Sequence, residues 1–168
     1  GGGARGWASG GGGRGAAGGC PRFAGRRAWG GGAAADVLVK FSGAAGSAGE
    51  GRWGGLLGCE HRAIECAARL PGITAARSRV LGHGGRMFIE VERFDRVGRH
   101  GRLSLCGLDV IQAAFIGSRS TDWPELVGRL HRMGLIDAAS VRAVEHLWWF
   151  GRLIANTDMH LGNLSFHV

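Results

Sequence analysis

Two hydrophobic periods run along this chain. Short β-branched runs dominate the part before residue 97, and spacings of three to four dominate the part after it. Val37-Leu38-Val39-Lys40-Phe41, bounded by Asp36 and by Ser42-Gly43, predicts a strand. From Trp53 to Leu70 the apolar positions Leu56, Leu57, Ile64, Ala67, Ala68 and Leu70 fit a helix that Pro71-Gly72 ends. Arg79–Leu81 and Arg86–Glu92 flank His83-Gly84-Gly85 and predict a hairpin with Met87, Ile89 and Val91 on one face. After the exit Arg93-Phe94-Asp95-Arg96 and a turn at Gly98 to Gly101, helices are predicted over 108–116, 124–132 and 138–154. The last of these starts behind Asp137 as N-cap. Val141, Val144, Trp148 and Gly151 form its apolar stripe, and a loop over 156–163 leads into a strand at 164–168. Strands segregated from helices predict an α+β fold.

Composition changes the picture at the N-terminus. Residues 1–35 hold 15 Gly, 9 Ala and five Arg with no acid, too little apolar surface to offset ordering, so they read as a disordered low-complexity tail. The net charge of +8 falls to +3 over residues 36–168, where 16 basic side chains face 13 acids. The basic excess is therefore diluted Arg in the tail, without the clustered stripe that nucleic acid binding requires, and direct nucleic-acid binding is not expected. No apolar run reaches the ~20 residues of a membrane span, and the start of the chain has no apolar signal segment. Cys20, Cys59, Cys66 and Cys106 form no CxxC pair. They read as small buried residues of a reducing, cytoplasmic protein.

Three places carry candidate chemistry. Twenty of 21 basic residues are Arg, and the one Lys, Lys40, lies mid-strand between apolar neighbours. A compact ammonium suits a single phosphate oxygen, although a Lys at a strand edge also discourages aggregation. Asp158-Met159-His160-Leu161-Gly162-Asn163 places Asn five residues after Asp in a loop between helix and strand, the spacing of a phosphotransfer loop. Asx-rich turns produce the same pattern without chemistry. Glu92-Arg93-Phe94-Asp95, leaving a strand, could read an adenine edge through its backbone, or could be a solvated hairpin exit.

Lys40 in LVKFS, the VERFDR segment at 91–96 and NTDMHLGN at 156–163, taken in order, resemble the HipA-like kinases, bacterial serine/threonine protein kinases often found as toxins of toxin–antitoxin pairs. GRW..LL..EH at 51–61 and FIEVERFDRVGR at 88–99 resemble the YjjJ-type branch. The resemblance implies a two-lobed protein-kinase-like fold, with an N-lobe at about 36–97 and a C-lobe at about 98–168. It implies Lys40 on the ATP phosphates, Glu92, Arg93 and Phe94 as hinge, and Asp95 near the ribose. Asp158 would be catalytic base, His160, Leu161, Gly162 and Asn163 would face nucleotide, and Asn163 would hold Mg2+. Glu60 is the implied partner of Lys40, with Glu65 as the other choice. A protein substrate and an antitoxin partner are implied as well.

The chain departs from that pattern in two ways. No phosphate-binding Gly-rich loop stands out before Lys40, and none of the five residues after Asn163 is the second metal-binding Asp, so the chain reads as a C-terminally truncated piece. A nucleotide-binding pseudokinase or binding module is therefore one rival reading. A lipid or small-molecule kinase, which shares D-x-H-x-x-N loops, is the other.

Overall fold

The computed structural model describes residues 22–28, 34–43 and 50–168. These divide into two compact units. The first comprises described residues up to Cys66 together with 76–100, and the second comprises 67–75 and 101–168. The chain is α+β.

The first unit is a four-stranded antiparallel sheet with one helix. Strands β1 (Arg22–Ala28), β2 (Ala34–Phe41), β3 (Ser78–His83) and β4 (Arg86–Glu92) lie in the order β1-β2-β4-β3, and α1 spans Glu50–Ala67. β3 and β4 join through Gly84 and Gly85, both at positive φ (55° and 70°), which a two-residue hairpin turn requires. Opposed residues of antiparallel strands share a face. Pairing of Lys40 with Ile89 and Leu38 with Val91 therefore puts Leu38, Lys40, Met87, Ile89 and Val91 on one face. Ile89 there is fully buried. The other face carries Val37, Val39 and Glu90, all buried, with the Glu90 carboxylate held by Arg79 at 2.6 Å.

β1 is a correction to the sequence reading. It lies within 1–35, where a disordered tail is expected, yet it pairs along all of β2, from Arg22 opposite Lys40 to Ala28 opposite Ala34. Strand pairing satisfies backbone groups whatever the side chains, which is why Gly/Ala/Arg composition hides it. The rest of the tail lies outside the described residues, as do 29–33, Trp-Gly-Gly-Gly-Ala, which join β1 to β2.

α1 turns inward the face that carries Leu57, Ile64 and Ala67 of its predicted apolar positions. Leu57 and Ala67 are buried, with Trp53, Glu60 and Ile64 half-buried on the same stripe, whereas Leu56 and Ala68 face outward. Cys59 and Cys66 share a face, but it is the outer one, and both thiols are exposed rather than buried. Cys20 lies outside the described residues.

Two two-residue strands, β5 (Arg96–Val97) and β6 (Gly101–Arg102), follow β4. The second unit then packs helices on a short antiparallel pair. β7 (Leu105–Gly107) leads into α2 (Leu108–Ile111), which continues as a π-helical turn over Gln112–Ile116 and stops at Gly117, φ 63°. α3 (Trp123–Arg132) and α4 (Ala138–Leu153) have side-chain caps: Asp122 accepts from the Glu125 N–H at 2.8 Å, and Asp137 from that of Ser140 at 2.7 Å. Strand β8 (Ser165–His167) pairs with β7, a three-residue strand too short for its periodicity to announce. Leu108, Trp123, Leu126, Val127, Leu130, Val144, Leu164 and Phe166 form the core, with Val141 and Trp148 of the predicted stripe against it. No described helix is long and apolar enough to cross a membrane.

Candidate functional site

In the first unit, Lys40 is aimed by strand register. Its neighbours Val39 and Phe41 face away, and its own face is the one α1 covers. Its Nζ donates to Glu60 Oε1 at 2.6 Å, with the two side chains 13% and 29% exposed. Glu60 sits on the inward stripe 53, 57, 60, 64, 67, whereas Glu65 points outward and lies 3.6 Å from His61 Nε2. His61 also meets the Ser78 hydroxyl at 2.8 Å, on the same sheet face as Lys40.

The segment at 92–95 is tied down by arginines. Glu92 is held by Arg77 at 2.6 and 3.0 Å, which lowers its carboxyl below the ordinary carboxylate range. Arg93 grips both oxygens of Asp95, at 2.8 and 2.6 Å, with Arg96 3.5 Å away. Hydrogen bonding from Arg93, then its charge and that of Arg96, lower the Asp95 pKa against a partial burial that opposes the shift. Two backbone donors of this exit are taken within the fold. The N–H of Glu92 donates to Arg77 O and that of Arg93 to Asp36 O, both at 2.8 Å, so these two donors are already engaged.

The lowered Asp95 and Glu92 pKa values have a definite sign. A carboxyl held below its unfolded value contributes stability above about pH 4 and loses it as pH falls through the folded value. Asp95→Asn is therefore expected to reduce stability more at about pH 6 than at about pH 3. Urea midpoints of both chains at the two pH values check this, and an equal gap at both would mean that the Arg93 contact contributes no charge-dependent stability.

In the second unit the loop at 156–163 is braced from inside. The Asp158 N–H donates to Asn156 Oδ1 at 3.0 Å, and Asn163 Nδ2 donates to the Asp158 carbonyl at 2.7 Å. That closes the six-residue D-x-H-x-x-N segment on itself and leaves the Asp158 carboxylate 62% exposed, 3.4 Å from His160 Nε2. Leu161, Gly162 and Asn163 form a single 3-10 turn. Any side chain at Gly162 would press on His160 Nδ1 at 3.2 Å and approach Asp109 Oδ2 at 3.6 Å. Asp109, at the start of α2, is a carboxylate beside the loop that spacing in the sequence does not reveal. Met159 fills the hollow left by Gly151 on α4.

Asn163 is buried, and its Oδ1 has no hydrogen-bond partner among the described residues. It lines a cavity with Trp123, Leu147, Gly151, Asn156, Asp158 and Met159. An unpartnered amide oxygen is the kind of hard oxygen donor that Mg2+ takes, commonly one or two protein ligands per site with water and phosphate completing the shell. No cluster of three or more His, Cys, Asp or Glu side chains suited to a metal occurs among the described residues.

No solved structure matches the chain. It is 45% identical over 133 residues to Toxin YjjJ of Escherichia coli (strain K12), covering 79% of this chain. It spans about 30% of the length of that relative. The family model described as the HipA-like C-terminal domain matches residues 16–168, so its match takes in β1 and the arginine-held segment at 92–95 as well as the loop. With nearly the whole described chain matched, the protein belongs to the HipA-like C-terminal domain family.

Proposed function

We propose that this chain is the nucleotide-binding and phosphotransfer portion of a toxin-type serine/threonine kinase, with a two-lobed kinase-like fold. It would transfer the γ-phosphoryl group of ATP to a protein hydroxyl, under the restraint of an antitoxin partner. The observation that carries the reading is the 2.6 Å Lys40–Glu60 pair between a sheet strand and the helix that covers it. Kinases hold their phosphate-contacting Lys in this way, with a helix Glu fixing the ammonium. The sole Lys of an Arg-rich chain is the residue so held.

Each residue then has a role. Lys40 binds ATP phosphate oxygens, while Phe94 covers the adenine and Asp95 lies toward the ribose. Asp158 accepts the proton of the attacking hydroxyl, from a loop already closed by Asn156 and Asn163. Asn163 Oδ1 would hold Mg2+, which would supply charge neutralisation on the transferring phosphates. Asn163 Nδ2 keeps the loop in place, and Gly162 keeps room for the His160 ring. Phosphoryl transfer asks the protein mainly for positioning, which these contacts provide.

Calorimetric titration with Mg·ATP tests the reading. The chain is expected to bind saturably, and Lys40→Met to weaken binding by about tenfold or more, the value of one charge-assisted contact. No binding by a chain shown to be folded would overturn it. Binding without transfer would favour a pseudokinase module, and label from γ-labelled ATP appearing only in a non-protein acceptor would favour a lipid or small-molecule kinase.

A further inference from the structure

Among the described residues, two buried side-chain atoms lack a hydrogen-bond partner: the indole Nε1 of Trp123 and the amide Oδ1 of Asn163. One can only donate and the other only accept. Trp123 is 6% exposed and Asn163 5%, and both line the same cavity. An unpaired buried group of this kind is costly, and native folds almost always satisfy it. The cavity has about 20 Å³ of room for solvent, enough for one water molecule and little more. Asn156 lines the same cavity.

We infer that one buried water bridges the two atoms, accepting from Trp123 Nε1–H and donating to Asn163 Oδ1, and that Trp123 is thereby a positioning residue for Asn163. The amide of Asn163 is then fixed at both ends. Its Nδ2 donates to the Asp158 carbonyl at 2.7 Å, and its Oδ1 is oriented by the bridge. A carbonyl oxygen has two lone pairs, so the bridge leaves one for a cation. Trp123 is well placed to be rigid. It opens α3 directly behind the Asp122 cap, and its ring packs on Trp148 with centroids 5.6 Å apart. The first turn of α3 is in this way joined to a loop some 40 residues later in the chain.

The test needs neither nucleotide nor cation, so its outcome is independent of the kinase reading. The full chain is labelled with 15N and held in EDTA, and the Trp123 indole resonance is identified by its loss in Trp123→Phe, which keeps an aromatic ring and removes the pyrrole portion with its N–H. The indole proton is expected to show a cross-peak to a long-lived water. The Asn163 Nδ2 protons are expected to exchange with solvent about tenfold faster in Trp123→Phe than in the parent. A purely packing role for Trp123 would leave that exchange unchanged. Absence of the water cross-peak, or unchanged Asn163 exchange in a folded Trp123→Phe, overturns the inference. Should Trp123→Phe fail to fold, the cross-peak of the parent, assigned through contacts to Trp148, decides alone.

Discussion

Asp158→Ala is expected to lower phosphoryl transfer by about 10²- to 10⁴-fold, the range of a lost general base, with Mg·ATP affinity close to that of the parent. The separation follows from how the residue is held. Its carboxylate is 62% exposed, so truncation removes little packing. The contacts that shape the loop run through its backbone, from N–H to Asn156 and from carbonyl to Asn163, and alanine keeps both. Transfer of label from γ-labelled ATP, measured beside a calorimetric titration, checks the two halves separately. Equal loss of transfer and binding would make Asp158 a structural residue of the loop.

The largest stability effect is expected at Gly151. In a helix interior Gly→Ala ordinarily stabilises by about 0.5–1 kcal/mol. Here a β-carbon would overlap Met159 Sδ and stand 2.7 Å from its Cε, so the alanine and the methionine cannot both keep their places. Overpacking of fixed atoms costs about 1–3 kcal/mol, and here the overlapped atoms end a flexible, half-buried side chain that moves aside at part of that cost. Gly151→Ala should therefore lose the propensity gain and be destabilised by up to about 1 kcal/mol. The same substitution made in a Met159→Ala background should instead stabilise, because only the propensity term is left. Chemical denaturation of the four chains reads both signs. A stabilising Gly151→Ala in the presence of Met159 would mean that the thioether swings aside freely and that the loop is not anchored there.

Much of the fold is legible in the sequence because burial imposes periods. β2, the β3–β4 hairpin, α3 and α4 all announce themselves in the sequence, and the cap Asp137 stands where the start of α4 needs it. β1 escapes because its evidence is pairing with β2, not its own side chains. β7 escapes because three residues carry no period. The outward placement of Cys59 and Cys66 shows a related limit. Spacing says that two residues share a helix face, and only packing says which face is buried.

The candidate site divides along the same line. Lys40, Asp158 and Asn163 are visible from residue type and spacing. The choice of Glu60 over Glu65 was not, because only packing shows that the stripe 53, 57, 60, 64, 67 turns toward the sheet. Nor was the engagement of the Glu92 and Arg93 N–H groups, which depends on Arg77 and Asp36 arriving from elsewhere in the chain. Trp123 was likewise out of reach. Nothing local to it points to a loop so far along the chain.

The pairing of Leu105 with His167 also sets an order of events during synthesis. The two residues are 62 positions apart, so at roughly 5–20 residues per second β7 waits roughly 3–12 s for its partner to be made. The segment from 156 to 163 hangs between α4 and that later strand, so its closed shape follows that of the helices before it. A ribosome-bound intermediate that has completed α4 would already hold most of the helical core and still lack the loop geometry. Whatever chemistry the loop performs is thereby withheld until the polypeptide has emerged past β8.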